Sequence, residues 1–103
     1  MISERNGQLF IEGAMNQQTA PALLPAGEPL MAAADRIVNL SGITAVDSSA
    51  LAVLLGWLRA AQAAGKTLHI VEAPGAFVSL ASLYGVAPIL FPSETDRDAS
   101  VQH

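Results

Sequence analysis

Asp47, Ser48 and Ser49 stand in succession ahead of a long apolar stretch, and they are the residues whose types and spacing could do chemistry. Asp, Ser and Thr are favoured at a helix N-terminus, where a side-chain oxygen accepts from an otherwise orphan amide and a carboxylate suits the macrodipole. Asp47 is therefore expected to cap the helix that follows, with Ser48 on an exposed first turn. A phosphate on Ser48 would add about two negative charges and three acceptor oxygens. The helix amides could bind it, but Asp47 would repel it and a docked partner would be disturbed. Catalysis reads poorly from the same residues. A serine nucleophile needs a histidine base and an orienting acid, whereas the two histidines are His69, within an apolar run, and His103, the last residue. Neither has a neighbour at metal-ligand spacing. There is no cysteine, hence no thiolate metal site, cysteine nucleophile or disulfide. The glycines match no phosphate-binding loop or dinucleotide fingerprint. No catalytic residue, metal or cofactor is expected, and a small hydrolase is favoured only by the serines.

A chain of 103 residues has room for one hydrophobic core, and 51% hydrophobic against 14% charged residues is ample material for it. The net charge of -4 leaves five Lys and Arg, spread singly, so no basic stripe suits a nucleic acid or an anionic membrane surface. Met1 to Gly7 carries Glu4, Arg5 and Asn6 where a signal peptide needs an apolar stretch. The longest apolar run, Ala50 to Leu58, is too short to span a bilayer. A cytoplasmic protein without direct membrane insertion is the expectation.

Arg5-Asn6-Gly7 between Ile2–Glu4 and Gln8–Glu12 predicts a β-hairpin. Asn16 to Ala34 is rich in helix formers, but Pro25, Gly27 and Pro29 predict two short helices rather than one. Arg36 to Leu40 reads as a buried strand and Ser41 to Asp47 as a loop. Ser48 to Ala64 reads as the best-defined helix, stopped by Gly65 and Lys66. Thr67–Val71 is predicted as a strand, Gly75–Tyr84 as a helix with Phe77, Leu80, Ala81 and Tyr84 on one stripe, and Val86–Phe91 as a final strand. The order β-β-α-β-α-β-α-β implies an α/β fold with a mixed sheet of about five strands. Residues 1–92 form the domain in this reading, and 93–103 a polar, flexible tail.

The passage from Ile37-Val38-Asn39-Leu40-Ser41 into Val46-Asp47-Ser48-Ser49-Ala50-Leu51 resembles the signature of the STAS family, named for sulphate transporters and anti-sigma-factor antagonists. In that family a strand, an Asp-Ser/Thr pair and a small residue open the second helix. Element order extends the resemblance over nearly the whole chain. Ala63-Ala64-Gly65-Lys66-Thr67-Leu68 and Leu83-Tyr84-Gly85-Val86 resemble one branch more closely, the STAS subunit of the Mla phospholipid-transport ABC complex, which maintains outer-membrane lipid asymmetry. That branch implies an accessory subunit whose partner is the transporter ATPase, in a complex with the permease at the inner membrane. The anti-sigma branch implies instead a switch in which an anti-sigma factor kinase phosphorylates Ser48. Many members carry glycine after the hydroxyl pair, whereas this sequence has Ala50.

On a helical wheel of residues 48–64, Leu51, Leu54, Trp57, Leu58 and Ala61 gather on one side, expected to pack on the sheet. Opposite lie Ser48, Ser49, Ala52, Gly56, Arg59 and Ala63, small residues with one long cation. Small side chains let a partner backbone approach, and Arg59 can donate a bidentate hydrogen bond at the edge. This face is expected to bind the partner.

Overall fold

The chain turns back on itself at once, because Asn6 and Gly7 both take positive φ, 53° and 79°. That is the geometry of a two-residue turn whose twist matches paired strands. In the computed structural model, which describes residues 2–91, the turn joins β1 (Ile2–Arg5) to β2 (Gln8–Met15) in an antiparallel pair. There follow α1 (Ala20–Ala33), β3 (Arg36–Val46), α2 (Ser48–Ala63), β4 (Leu68–Val71), α3 (Gly75–Leu83) and α4 (Ala87–Leu90). The sheet order is β1-β2-β3-β4, with β3 parallel to both neighbours. The α/β class and mixed sheet match the sequence reading, with four strands in place of about five. The tail expected at 93–103 lies outside the described residues.

Alternation along β2 and β3 sends Leu9, Ile11, Val38 and Leu40 to one face, each at most 2% exposed. Leu54 and Trp57 of α2, Met31 of α1 and Phe77 of α3 complete the core there. The opposite face carries Phe10 beneath the Arg5 guanidinium, 4.2 Å from the ring centroid, with Ile37 and His69 exposed. Asn39, buried on this side, is fully engaged. Its Nδ2 donates to Gln8 Oε1 and Glu72 Oε2, each at 3.2 Å, and its Oδ1 accepts from the Ser41 amide at 2.8 Å.

Three elements depart from the sequence expectation. α1 is one helix of 14 residues, not two short ones. Pro21, Pro25 and Pro29 recur every four residues along its exposed side, opposite buried Leu23, Gly27 and Met31. The carbonyls that lose donors, those of Pro21 and Pro25, belong to exposed residues, where water can take the place of the missing N–H groups. β3 runs on as strand through Ser41 to Val46 instead of becoming a loop, paired with β2 across register shifts at Phe10/Glu12 and Gly13/Ala14. β1 stops at Ile11 and β4 at Asn39 in these ladders, so among the described residues the far ends of β2 and β3 pair as strands only with each other. Finally, Val86–Phe91 is not a strand but contains α4. Pro88 explains this, since proline suits the first helical positions and cannot donate to a ladder. α2 and α3 close alike, Lys66 N donating to Ala61 O and Val86 N to Ala81 O after Gly65 and Gly85 at φ 73° and 74°. Tyr84, at the end of α3, is 57% exposed and does not join the Phe77 stripe.

α1 crosses α2 where Gly27 meets Trp57. A Cβ on Gly27 would lie 2.3 Å from Cε2 of the indole, and the indole Nε1 donates to Leu24 O at 3.1 Å. Trp57 is fully buried, so there is nowhere for the ring to go. Gly27→Ala should overpack the crossing and destabilise the protein by roughly 2–3 kcal/mol. Urea unfolding followed by Trp57 fluorescence measures this; a midpoint equal to wild type would mean the helices separate freely.

Asp35 joins the two strand entries. Its Oδ1 accepts from Thr67 N at 2.9 Å, while Arg36 N donates to Thr67 O at 2.9 Å. The Thr67 amide holds the Asp35 carboxyl below its ordinary range, with Lys66 and His69 adding weaker attraction. Because the folded value lies below the unfolded one of about 3.9, this stabilisation is present at neutral pH and fades as pH falls through the folded value. Asp35→Asn retains an acceptor but no titration. Its stability should vary less with pH below about 4 than wild type, as denaturation midpoints over the acid range would reveal.

Candidate docking site

The carboxyl ends of parallel strands are where crossover loops converge and sites are commonly built. Here β2 delivers the loop Asn16–Thr19 and β3 delivers Asp47 to the same end of the sheet. Asp47 takes extended geometry, φ -140° and ψ -172°, and caps α2 by accepting from Ser49 N at 2.8 Å. The other carboxylate oxygen accepts from Gln17 N at 3.1 Å, and Asp47 N donates to Met15 O at 3.3 Å. Asp47 thus caps the helix and also ties it to the β2–α1 loop.

Ser48 is exposed on the first turn of α2 and Ser49 is half-buried. Ala50 is fully buried in the core, so alanine fits the place where glycine is common. Further along α2, Ala52 and Arg59 are exposed, and Gly56 is half-buried. The wheel assigned Gly56 to an open face. In the structure a Cβ there would stand 2.5 Å from Leu24 Cδ1, so the glycine sits against α1. Ala52, Gly56, Arg59, Ala60 and Ala63 instead line one wall of a shallow groove whose other wall is Leu24 and Glu28 of α1. Ser48 and Ser49 lie beyond its end, toward the helix N-terminus. Among the described residues Arg59 has no ion-pair partner. Of the buried set, Leu51, Leu54, Trp57 and Ala61 are in the core. Leu58 is half-buried and faces a second concavity of mixed character along β4, where Ile70, Val78, Leu90 and Phe91 are joined by His69 and Glu72.

The α1 wall and the Gln17 contact escaped the sequence reading. Asn16 and Thr19 around Gln17-Gln18 are a turn-forming signal, but nothing local ties that turn to a residue 30 positions away. For other chemistry the site has little equipment. Among the described residues no group of three His, Cys, Asp or Glu could hold a metal ion. His69 is exposed on the opposite face of the sheet, and His103 lies outside the described residues. No helix among them is long and apolar enough to cross a membrane.

Comparison with known proteins bears on this arrangement. The anti-sigma-factor antagonist SpoIIAA in its unphosphorylated form superposes with a TM-score of 0.69 at 14% identity, over 97% of this chain and 96% of that one. The crystal structure of Mglu gives a TM-score of 0.56 at 19% identity, over 73% of this chain and 19% of that one. Both likenesses are of fold. A search of curated proteins found no match. The family described as "Mlab, STAS domain" matches residues 2–91, the whole of the described chain. With a small residue buried behind a capped Asp-Ser-Ser turn at the end of β3, the chain belongs to the MlaB-type STAS family.

Proposed function

We propose that this chain is a non-catalytic STAS subunit that docks on the ATPase of an Mla-type phospholipid ABC transporter, on the cytoplasmic side of the inner membrane, and so serves outer-membrane lipid asymmetry. The observation that carries this reading is the surface running from exposed Ser48 along Ala52 to the α1–α2 groove, with Arg59 at its border. Small side chains there leave room for a partner backbone, and an uncommitted guanidinium can take a partner carboxylate bidentately. By binding the assembled transporter more tightly than its separate subunits, the protein would stabilise that state by linkage and leave the chemistry of ATP hydrolysis unaltered.

A second reading, a serine-phosphorylated anti-sigma-factor antagonist, is favoured by the exposure of the Ser48 hydroxyl on the first turn of α2. In that reading the partner is a kinase. Both readings place the interface at the same end of α2.

Substitutions at Ser48 and Ala52 test the transport reading. Ser48→Ala loses one hydrogen bond, about 1 kcal/mol, and should retain partial function. Ser48→Asp sets a second carboxylate beside Asp47, and desolvating it at an interface costs several kcal/mol. Ala52→Arg fills the approach to the groove without touching the core. Both should abolish co-purification with the transporter and lower its ATPase rate in the reconstituted complex. Full activity and full co-purification with Ser48→Asp and Ala52→Arg alike would place the docking surface elsewhere.

A further inference from the structure

The β2–α1 loop carries four main-chain donors in a row, and three are satisfied within it. Asn16 N donates to Thr19 Oγ1 at 3.0 Å, and Gln18 N and Thr19 N donate to Asn16 Oδ1 at 3.0 and 3.1 Å. The Thr19 hydroxyl in turn donates to Ala14 O at 2.9 Å. The loop is therefore stiff by itself. Gln17 N alone reaches out of it, to Asp47 Oδ2, while Asp47 Oδ1 holds Ser49 N on α2. Gln17 and Gln18 are both exposed. Their backbone amides are occupied, so their side-chain amides are what they present.

We propose that Asp47 is a positioning residue that sets the β2–α1 loop against the first turn of α2, so that the partner meets Gln17, Gln18 and Ser48 as one rigid, two-segment surface. This rests on the docking reading above and extends it to a loop that the wheel of α2 does not include. The carboxylate is suited to the task because its two oxygens are directed at two different segments, each accepting from one amide. Asparagine and serine cap helices about as well as aspartate, but each has a single oxygen to offer. With either one the loop, though stiff, would lose a tie that fixes its position against α2, and that position would have to be restored when the partner binds, at an entropic cost to affinity.

Asp47→Asn and Asp47→Ser separate capping from positioning. Amide hydrogen exchange in the free protein and affinity for the purified transporter ATPase are measured together, with Ala52→Arg as reference. In both variants the Gln17 amide should exchange at least about tenfold faster, and affinity should drop by about tenfold. The Ser49 amide should stay protected in Asp47→Ser, and Trp57 fluorescence should be that of wild type in both. Unchanged exchange at Gln17 would overturn the proposal, because the loop would then be held by something else. Fast exchange with wild-type affinity would overturn it too. In that case, loss of binding by Ala52→Arg leaves the docking reading standing, and retention of binding by Ala52→Arg removes both.

Discussion

The close crossing of α1 on α2 is the contact on which the rest of the molecule depends. Trp57 is the largest side chain in the core, and it fits only because position 27 has no side chain at all. Its indole N–H is satisfied by a carbonyl of the opposing helix rather than by water, as a buried indole requires. Once the two axes are this close, Leu24 falls over Gly56, and the groove beside it acquires its two walls. The geometry of the exposed site is thus set from below by one glycine and one tryptophan.

What the site lacks is as informative as what it has. Its polar groups are devoted to holding backbone: Asp47 serves two amides and Asn16 two more. Its small residues leave space, and its one guanidinium is uncommitted among the described residues. Such a surface offers shape and a fixed frame, the features on which the proposed docking relies. Recognition by complementarity, with a few anchors and a dry centre, is how protein interfaces derive their energy.

Local signals in the sequence were legible wherever the physics was local. Asn6-Gly7 makes a hairpin and Gly65 ends a helix through backbone geometry, and Asp47 caps the next turn with its own carboxylate. α1 was misread because the cost of a proline depends on which side of the helix it occupies, and that side is decided by packing on α2. The terminal strand was misread despite a usable cue, since Pro88 argues against a ladder and for a first helical turn. Half of the candidate site was visible as the Asp47-Ser48-Ser49 run and the small residues of α2. The other half, Leu24, Glu28 and the bond to Gln17, comes from segments brought together only by the crossover. Nothing within a few residues of Gly56 reveals that Leu24 lies on it.

The two register shifts between β2 and β3 have a geometric consequence. Past Ile11 and Asn39 the sheet narrows to a two-stranded ribbon, and that ribbon contains the irregularities, with Gly13 at φ 92°. A β-bulge bends its strand and increases the local twist, so the irregular pairing re-aims whatever the ribbon carries at its end. The Asn16 loop and the start of α2, bonded to each other through Asp47, stand at its tip. The direction in which that tip projects from the sheet is therefore set by the irregular pairing of β2 with β3 rather than by the regular twist of the full sheet.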